Sequence, residues 1–214
     1  MINKFTIYGE RCSGTNYLED IITKNFDVNI TWDYGWKHFF GHQDLSNSDE
    51  VLFICIIRDP VKYINSLWRE KHHFPNNLRI SINNYLNNEF YSINENNEIM
   101  EDRNMYTKNR YKNIFELRHT KNKFLIEDLP KKVKNYILIK YEDLLINYNN
   151  TINLIKDKGL TIRNNIKYPL NTLAYKKIPT QIYDPRNKID YIKKEIILKN
   201  PNFNDEYEKK LGYL

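Results

Sequence analysis

The feature that most limits the possible folds of this chain is the unbroken apolar run Val51–Ile57. A strand with one face in water alternates apolar and polar residues, whereas a parallel strand covered on both faces is apolar throughout. The run is followed by Asp59 and Pro60, which are typical of a helix N-cap and a first helical residue. The sequence therefore predicts a central strand of a parallel sheet, followed by a helix that extends to about Lys71.

The rest of the chain continues this alternation of strand and helix. Other apolar segments predict three more strands: Lys4–Tyr8, Val28–Trp32 and Tyr136–Lys140. Apolar residues at helical spacing predict three more helices: one from Thr15, one over Arg103–Lys121, and one from Asp143 to near Gly159. This alternation predicts an α/β single domain over residues 1–214, with a central parallel β-sheet flanked by helices. The polar, irregular stretch of about 72–110, with loop and short helix over 72–102, is the expected variable region that shapes an acceptor pocket.

The charge of the chain favours an anionic ligand. The formal net charge is +6 and the pI is about 9.0, a balance that suits a nucleotide, a nucleic acid or an acidic glycan alike. Basic and acidic residues are interspersed throughout, and no recognised DNA- or RNA-binding motif occurs. We therefore expect no nucleic-acid partner, and a basic module that binds nucleic acid stays as an alternative.

Cysteine content and hydropathy limit the class of protein further. Cys12 and Cys55 cannot form a disulfide framework or a four-ligand zinc site, and we expect no metal. No apolar run reaches the ~20 residues of a membrane span, and the N-terminus lacks the features of a secretory signal. We therefore expect a cytoplasmic protein without a membrane span. The abundance of Lys, Asn, Ile and Tyr indicates an AT-rich genome, viral or of a low-GC bacterium, and the oligomeric state is not predicted.

The segment Gly9–Thr15 joins the first predicted strand to the first predicted helix. Backbone N–H groups of a glycine-containing turn before a helix form an anion-binding cradle. Arg11 adds a positive charge to this segment, and Ser13 and Thr15 add hydroxyl donors. The segment therefore predicts a phosphate-binding loop, and the alternative is an ordinary strand-to-helix turn.

This loop differs from the P-loop of an NTPase. Gly9 and Gly14 have the P-loop spacing, but Thr15 and Asn16 stand where that motif has Lys and then Ser or Thr. The lysine that reaches the β- and γ-phosphates and the hydroxyl that binds magnesium are both missing. The loop therefore fits an anion better than it fits Mg-NTP hydrolysis, and a P-loop kinase or NTPase without its usual lysine stays as an alternative.

A second basic motif follows the central strand. Arg58 comes directly after that strand, and ligands of open α/β sheets bind outside the carboxyl ends of the strands. Arg58 and the glycine loop would therefore share one edge of the sheet. Ser66 lies eight residues after Arg58, two turns into the next predicted helix. The alternatives are an Arg58 paired with a surface carboxylate and a Ser66 bonded to its own helix backbone.

Together these motifs resemble those of the sulfotransferases that use PAPS (3′-phosphoadenosine 5′-phosphosulfate). The segment Tyr8–Tyr17, anchored on Ser13-Gly14-Thr15, resembles the loop of that family that holds the 5′-phosphosulfate. Arg58-Asp59-Pro60 with Ser66 resembles its 3′-phosphate motif, and Tyr141-Glu142-Asp143-Leu144 resembles a third, weaker signature. The resemblance covers about residues 4–160 in outline, with the nucleotide-binding motifs within 4–70 and 136–145.

The resemblance implies a P-loop NTPase-like sulfotransferase fold, PAPS as cofactor with PAP as product, no metal, and a small-molecule or glycan acceptor. The cofactor-binding residues that it implies are Arg11, Cys12, Ser13, Gly14, Thr15, Asn16, Arg58, Ser66, Tyr141 and, in a late basic loop, Arg186 and Lys188. The chain departs from the family at Cys12, where the family has Lys or Arg, and Arg11 and Lys37 are the candidates for that cation. The alternative for Arg186 and Lys188 is that they are solvated surface charges.

The family places a catalytic histidine between its two nucleotide motifs, and His38 lies in that interval. The resemblance therefore implies His38 as the base, with Lys37 and Arg11 as the other catalytic residues. His42 is a nearby competitor, and a structural histidine packed among aromatic residues is the alternative to both. A family member that binds the nucleotide without catalysis is a further alternative.

Overall fold

The apolar run Val51–Ile57 forms strand β3, and every residue in it is buried. In the computed structural model, which describes residues 2–163 and 189–214, β3 lies between β1 (Lys4–Gly9) and β6 (Asn135–Lys140). Strand β2 (Asn29–Ile30) pairs with the other side of β1. The pairings within this four-stranded sheet are parallel, and the strand order is β2-β1-β3-β6. The predicted α/β fold, a central parallel sheet flanked by helices, is confirmed.

The helices of the described residues surround this sheet. Their bounds are α1 Thr15–Asn25, α2 Pro60–Arg69, α3 Ile82–Asn87, α4 Ile114–Lys123, α5 Leu129–Lys132, α6 Tyr141–Ile146, α7 Tyr148–Lys156, α8 Lys194–Leu198 and α9 Asp205–Lys210. A π-helical turn, Phe124–Asp128, joins α4 to α5. In the part of the chain that the structure describes, none of the helices has both the length and the apolar character needed to cross a membrane.

The unbroken apolar pattern of β3 is explained by apolar clusters on both faces of the sheet. Successive side chains of a strand point to opposite faces. Leu52, Ile54 and Ile56 pack with apolar residues of α1, α6 and α7. The residues that alternate with them pack with the π-helical turn, α5 and α9. Neither face of β3 meets water, so the strand carries no polar residue.

Helix α2 begins where the sequence predicts. The Asp59 side chain is the N-cap and accepts a hydrogen bond from the backbone N–H of Lys62 at 2.9 Å, and Pro60 is the first helical residue. The helix ends at Arg69, slightly before the predicted Lys71, and a 3₁₀ turn follows over Lys71–His73. The local chemistry of a cap and a proline thus fixes the helix start well.

The predicted helix over Arg103–Lys121 is wrong in its first half. Helix α4 starts only at Ile114, because the Asn113 side chain caps it by accepting from the N–H groups of Phe115 and Glu116. Before it the chain is irregular, and Tyr111 forms an antiparallel bridge with Phe90. The residues 72–102, predicted as loop and short helix, contain α3 and also a hairpin of two-residue strands, β4 (Ile93–Asn94) and β5 (Asn97–Glu98).

The last predicted helix is also corrected. It begins at Tyr141, directly after β6, and not at Asp143. A break at Asn147, with φ −117° and ψ 42°, divides it into α6 and α7. The predicted stop near Gly159 is confirmed, because α7 ends at Lys156 and Gly159 follows in the left-handed region with φ +97°. The early start matters, because it places Tyr141 at the carboxyl end of β6.

Candidate functional site

The segments that follow β1, β3 and β6 meet at one edge of the sheet. The first of them, Glu10–Gly14, is a tight loop with two residues of positive φ, Cys12 at +63° and Gly14 at +99°. Ser13 stabilises the loop, since its backbone N–H and its hydroxyl both donate to the carbonyl of Glu10, at 3.2 and 2.7 Å. The loop thus leads the chain from the end of β1 to the start of α1 at Thr15.

The start of α1 has the properties of an anion site. Gly14 is its N-cap, no side chain of the residues that the structure describes caps the first N–H groups, and the first turn contains no acidic residue. Thr15 is the buried first residue, and Asn16 follows it at the surface. The uncapped N–H groups and the positive end of the helix dipole attract negative charge, so this end of α1 fits a phosphate or sulfate group.

Gly14 lies directly on the ring of Tyr141. A Cβ atom at Gly14 would be 2.3 Å from Cδ2 of Tyr141, which no side chain tolerates. The ring itself is buried, with 3% of the residue exposed, and Tyr17 packs against it edge to face. Tyr141 therefore sets the height of the loop above the sheet, and only glycine fits at position 14.

Arg58 connects all three segments. Its Nη1 donates to the carbonyl of Cys12 at 2.8 Å, and its guanidinium carbon lies 4.6 Å from the centre of the Tyr141 ring. The residue is 5% exposed, and its Nε is buried without a hydrogen-bond partner in residues 2–163 and 189–214. A buried guanidinium that pairs with no carboxylate of the described residues is suited to an anionic ligand.

The peptide group after Arg58 is held as well. Its N–H, on Asp59, donates to Oε1 of Glu142 at 3.0 Å. Its carbonyl, on Arg58, accepts from Nη2 of Arg118 at 2.9 Å.

Ser66 lies two turns along α2 on the buried side of the helix, with 6% of the residue exposed. The neighbouring Asn65 side chain is bonded to both backbone groups of Ile192, which fixes that face of α2.

His38 lies beside the end of β1. Its Nδ1 is 2.9 Å from the carbonyl of Gly9, so Nδ1 carries the proton and Nε2 keeps its lone pair. Burial, together with the positive charges of Arg11, Lys121 and Lys37, lowers the pKa of His38 well below its usual value of about 6.5. The imidazole is therefore neutral at pH 7, which is the form that accepts a proton.

The side chain of Lys37 contacts the first turns of α1. Its ammonium group donates to the side chain of Asn16 and to Glu19, the latter at 2.8 Å, and the residue is 5% exposed. Its charge also faces Trp32 and Trp36, at 5.7 and 5.1 Å from the ring centres. The backbone carbonyl of Lys37 accepts from the N–H of Gly9, so the Lys37–His38 pair is fixed to the strand that enters the loop.

Arg11 lies on the side of the loop that faces the variable region. Its Nη1 donates to Nδ1 of His73 at 3.1 Å, and its guanidinium lies 5.1 Å from the Phe39 ring centre and 3.9 Å from Asp102. Asp102 also pairs with Lys121, whose Nζ donates to the carbonyl of His38 at 2.8 Å. Arg11 is thus near enough to His38 to lower its pKa, while its Nη1 is directed to His73 and its buried Nε has no hydrogen-bond partner among the described residues.

The other predicted residues lie elsewhere. His42 is exposed, is 2.9 Å from Nζ of Lys108, and lines a surface cleft of about 390 Å³ together with Gln43, Met100, Glu101 and Arg103. Arg186 and Lys188 lie outside the described residues. Of the two candidate bases, His38 is therefore the one bonded to the end of β1, and His42 lies at the surface cleft.

The sequence did not point to the buried charges beneath the loop. Arg118, which is 2% exposed, pairs with Glu10 at 3.1 Å and with both carboxylate oxygens of Glu208 at 2.6 and 2.8 Å. Burial raises the pKa of Glu10 to about 7, although the charge of Arg118 opposes this. The one available signal was a polar residue, Arg118, on the apolar face of a predicted helix.

The described residues contain no group of three or more His, Cys, Asp or Glu side chains placed to hold a metal ion. No protein-family model, curated protein or solved structure matches the chain.

Proposed function

We propose that this chain is a sulfotransferase with a P-loop NTPase-like fold, which takes a sulfuryl group from PAPS and passes it to a hydroxyl or amine of a small-molecule or glycan acceptor. The observation that carries the proposal is the meeting of three separate segments at Arg58. This arginine is bonded to the carbonyl of Cys12 and stacked on Tyr141, and Tyr141 supports Gly14. Residues that are far apart in the sequence thus form one cationic corner beside an uncapped helix.

The donor fits the residues present. A phosphate monoester carries about −1.5 to −2 charge at pH 7, and PAPS has anionic groups at both ends of its ribose. The N–H groups of Cys12, Gly14, Thr15 and Asn16 would hold the 5′-phosphosulfate, because no side chain of the described residues caps the start of α1. Arg58 and Ser66 would hold the 3′-phosphate, and the Nε of Arg58, which has no hydrogen-bond partner in the described part of the chain, supports this role. Tyr141 fixes the orientation of the Arg58 guanidinium between the two.

The reaction needs a proton acceptor and compensation of charge. PAPS, when bound, supplies the sulfuryl group, and transfer of such a group depends mainly on position and electrostatics. His38 accepts the proton of the acceptor hydroxyl or amine at Nε2, because its Nδ1–H is bonded to Gly9. Lys37, held by Asn16 and Glu19, stabilises the negative charge that develops at the end of α1.

Calorimetric titration with PAP, with ADP, and with ATP plus Mg²⁺ tests the proposal. ADP lacks the 3′-phosphate, so we expect PAP to bind much more tightly than ADP. An Arg58→Gln variant should lose most of that preference, and an Arg110→Gln variant, which removes an arginine paired with Glu98 in the variable region, should keep it. Binding of Mg-ATP without preference for PAP would reject the proposal and favour a kinase.

A further inference from the structure

The peptide group between Arg58 and Asp59 is held at both of its polar atoms by side chains that are themselves held by the C-terminal segment. Arg118 donates to the peptide carbonyl at 2.9 Å, and Glu142 accepts from the peptide N–H at 3.0 Å. Such a double constraint leaves the peptide one orientation. The direction of the Arg58 side chain depends on that orientation, since its Cα belongs to the same peptide unit.

The first of these side chains is fixed by α9. Glu208 binds Arg118 through both carboxylate oxygens, at 2.6 Å to Nε and 2.8 Å to Nη2. Arg118 also pairs with Glu10, the first residue of the phosphate-binding loop, at 3.1 Å. These three side chains are 6% exposed or less, so water does not replace a lost partner. One guanidinium therefore joins the loop, the Arg58 carbonyl and α9.

The side chain of Glu142 is fixed by Tyr213. The hydroxyl of Tyr213 donates to Oε2 of Glu142 at 3.1 Å, while Oε1 of the same carboxylate accepts from Asp59. Burial, and the nearby charge of Glu142, raise the pKa of Tyr213, so the hydroxyl stays a donor at neutral pH. Lys140 donates to the carbonyl of Gly212 at 3.0 Å and ties this last turn to the end of β6.

We propose that the C-terminal segment Asp205–Tyr213 is a positioning element for the 3′-phosphate subsite, and that Glu208 and Tyr213 set its specificity through Arg118 and Glu142. The inference rests on the proposed function, because it assigns Arg58 to the 3′-phosphate. None of the positioning residues touches the ligand. They fix the distance between the loop and Arg58, and hence the affinity for a nucleotide that carries both phosphates.

The test compares the affinity for PAP with the affinity for AMP, which has the 5′-phosphate alone. A Tyr213→Phe variant loses one hydroxyl and should lower the PAP-to-AMP affinity ratio about threefold to tenfold, the range expected for the loss of one ordinary hydrogen bond. A Glu208→Gln variant should lower the ratio about tenfold or more, because a charged, bidentate partner of Arg118 is lost. A merely structural role would reduce thermal stability and leave the ratio unchanged.

Two control variants come from the same helix. Tyr207→Phe removes a buried hydroxyl that has no hydrogen-bond partner among the described residues, and Asp205→Asn removes an exposed charge that, within the same residues, forms an ion pair with Lys209 alone. Both should keep the wild-type ratio. If Glu208→Gln does not fold, Tyr213→Phe alone decides the matter.

The outcomes separate the inference from the proposed function. If the wild-type chain prefers PAP over AMP and both Tyr213→Phe and Glu208→Gln keep that preference, the inference is overturned while the proposed function stands. If the wild-type chain shows no preference for PAP, the proposed function fails, and the inference fails with it.

Discussion

The contact between Gly14 and Tyr141 gives a prediction with a matched control in the same chain. Gly14→Ala places a Cβ atom at 2.3 and 2.6 Å from two ring carbons, at a residue with φ +99°. Gly159→Ala places one at nearly the same φ, +97°, where the nearest atom is 3.9 Å away. The two substitutions thus share the backbone strain and differ in the collision with the ring.

The expected costs follow from these distances. A non-glycine residue in the left-handed region costs roughly 1 to 2 kcal/mol, and this is the whole effect expected for Gly159→Ala. Gly14→Ala adds overpacking of a buried ring, which costs typically about 1 to 3 kcal/mol. We therefore expect Gly14→Ala to lower the free energy of unfolding by about 2 to 5 kcal/mol, summing the two contributions.

The consequence for binding is larger than the consequence for stability. The displaced ring also carries the Arg58 guanidinium, 4.6 Å from its centre, so the loop and Arg58 shift together. We expect Gly14→Ala to abolish PAP binding and Gly159→Ala to leave it unchanged, with urea denaturation and calorimetry as the assays. Equal losses of stability in the two variants, together with intact PAP binding in Gly14→Ala, would refute the role given to Tyr141.

Three further predictions concern the base and the buried charges. His38→Ala should lower turnover by about 10²- to 10⁴-fold without weakening PAP binding, and His42→Ala should leave turnover unchanged, measured as PAP release with an acceptor found by screening. Turnover should keep its full value down to pH 6.5, because the pKa of His38 is lowered, and Arg11→Met should move the acidic limb to higher pH, since Arg11 contributes to that lowering. The pKa of Glu10 is about 7 when folded, against about 4.5 when unfolded, so the folded chain holds this proton more tightly and loses stability as pH rises from 4.5 to 7. That loss is roughly 3 kcal/mol at about 1.4 kcal/mol per pKa unit. In thermal melts over the same pH range, the Glu10→Gln variant should not show this loss of stability.

The fold was predictable where one local pattern decides the structure. The apolar run of β3 predicted a strand covered on both faces, and Asp59 with Pro60 predicted the start of α2. The helix over residues 103–121 was mispredicted because the Asn113 side chain satisfies the first N–H groups of α4 and starts the helix there. A capping residue in the middle of a periodic segment competes with periodicity, and spacing alone does not show which of them prevails.

The candidate site was predictable only as separate segments. Parallel strand order requires the ends of β1 and β3 to share an edge, which the sequence indicates. The partners of Arg118 are different, because Glu10 and Glu208 lie 108 and 90 residues away in the sequence. No local pattern encodes a pairing at such separation, and the same holds for the contact between Tyr213 and Glu142.

The most direct measurement is a crystal structure of the chain with PAP bound. The account predicts the 5′-phosphate within hydrogen-bond distance of the N–H groups of Gly14, Thr15 and Asn16, and the 3′-phosphate against Arg58 and Ser66, with Nε2 of His38 facing the 5′ end. A nucleotide bound in the opposite direction, or bound away from Arg58 altogether, would contradict the account.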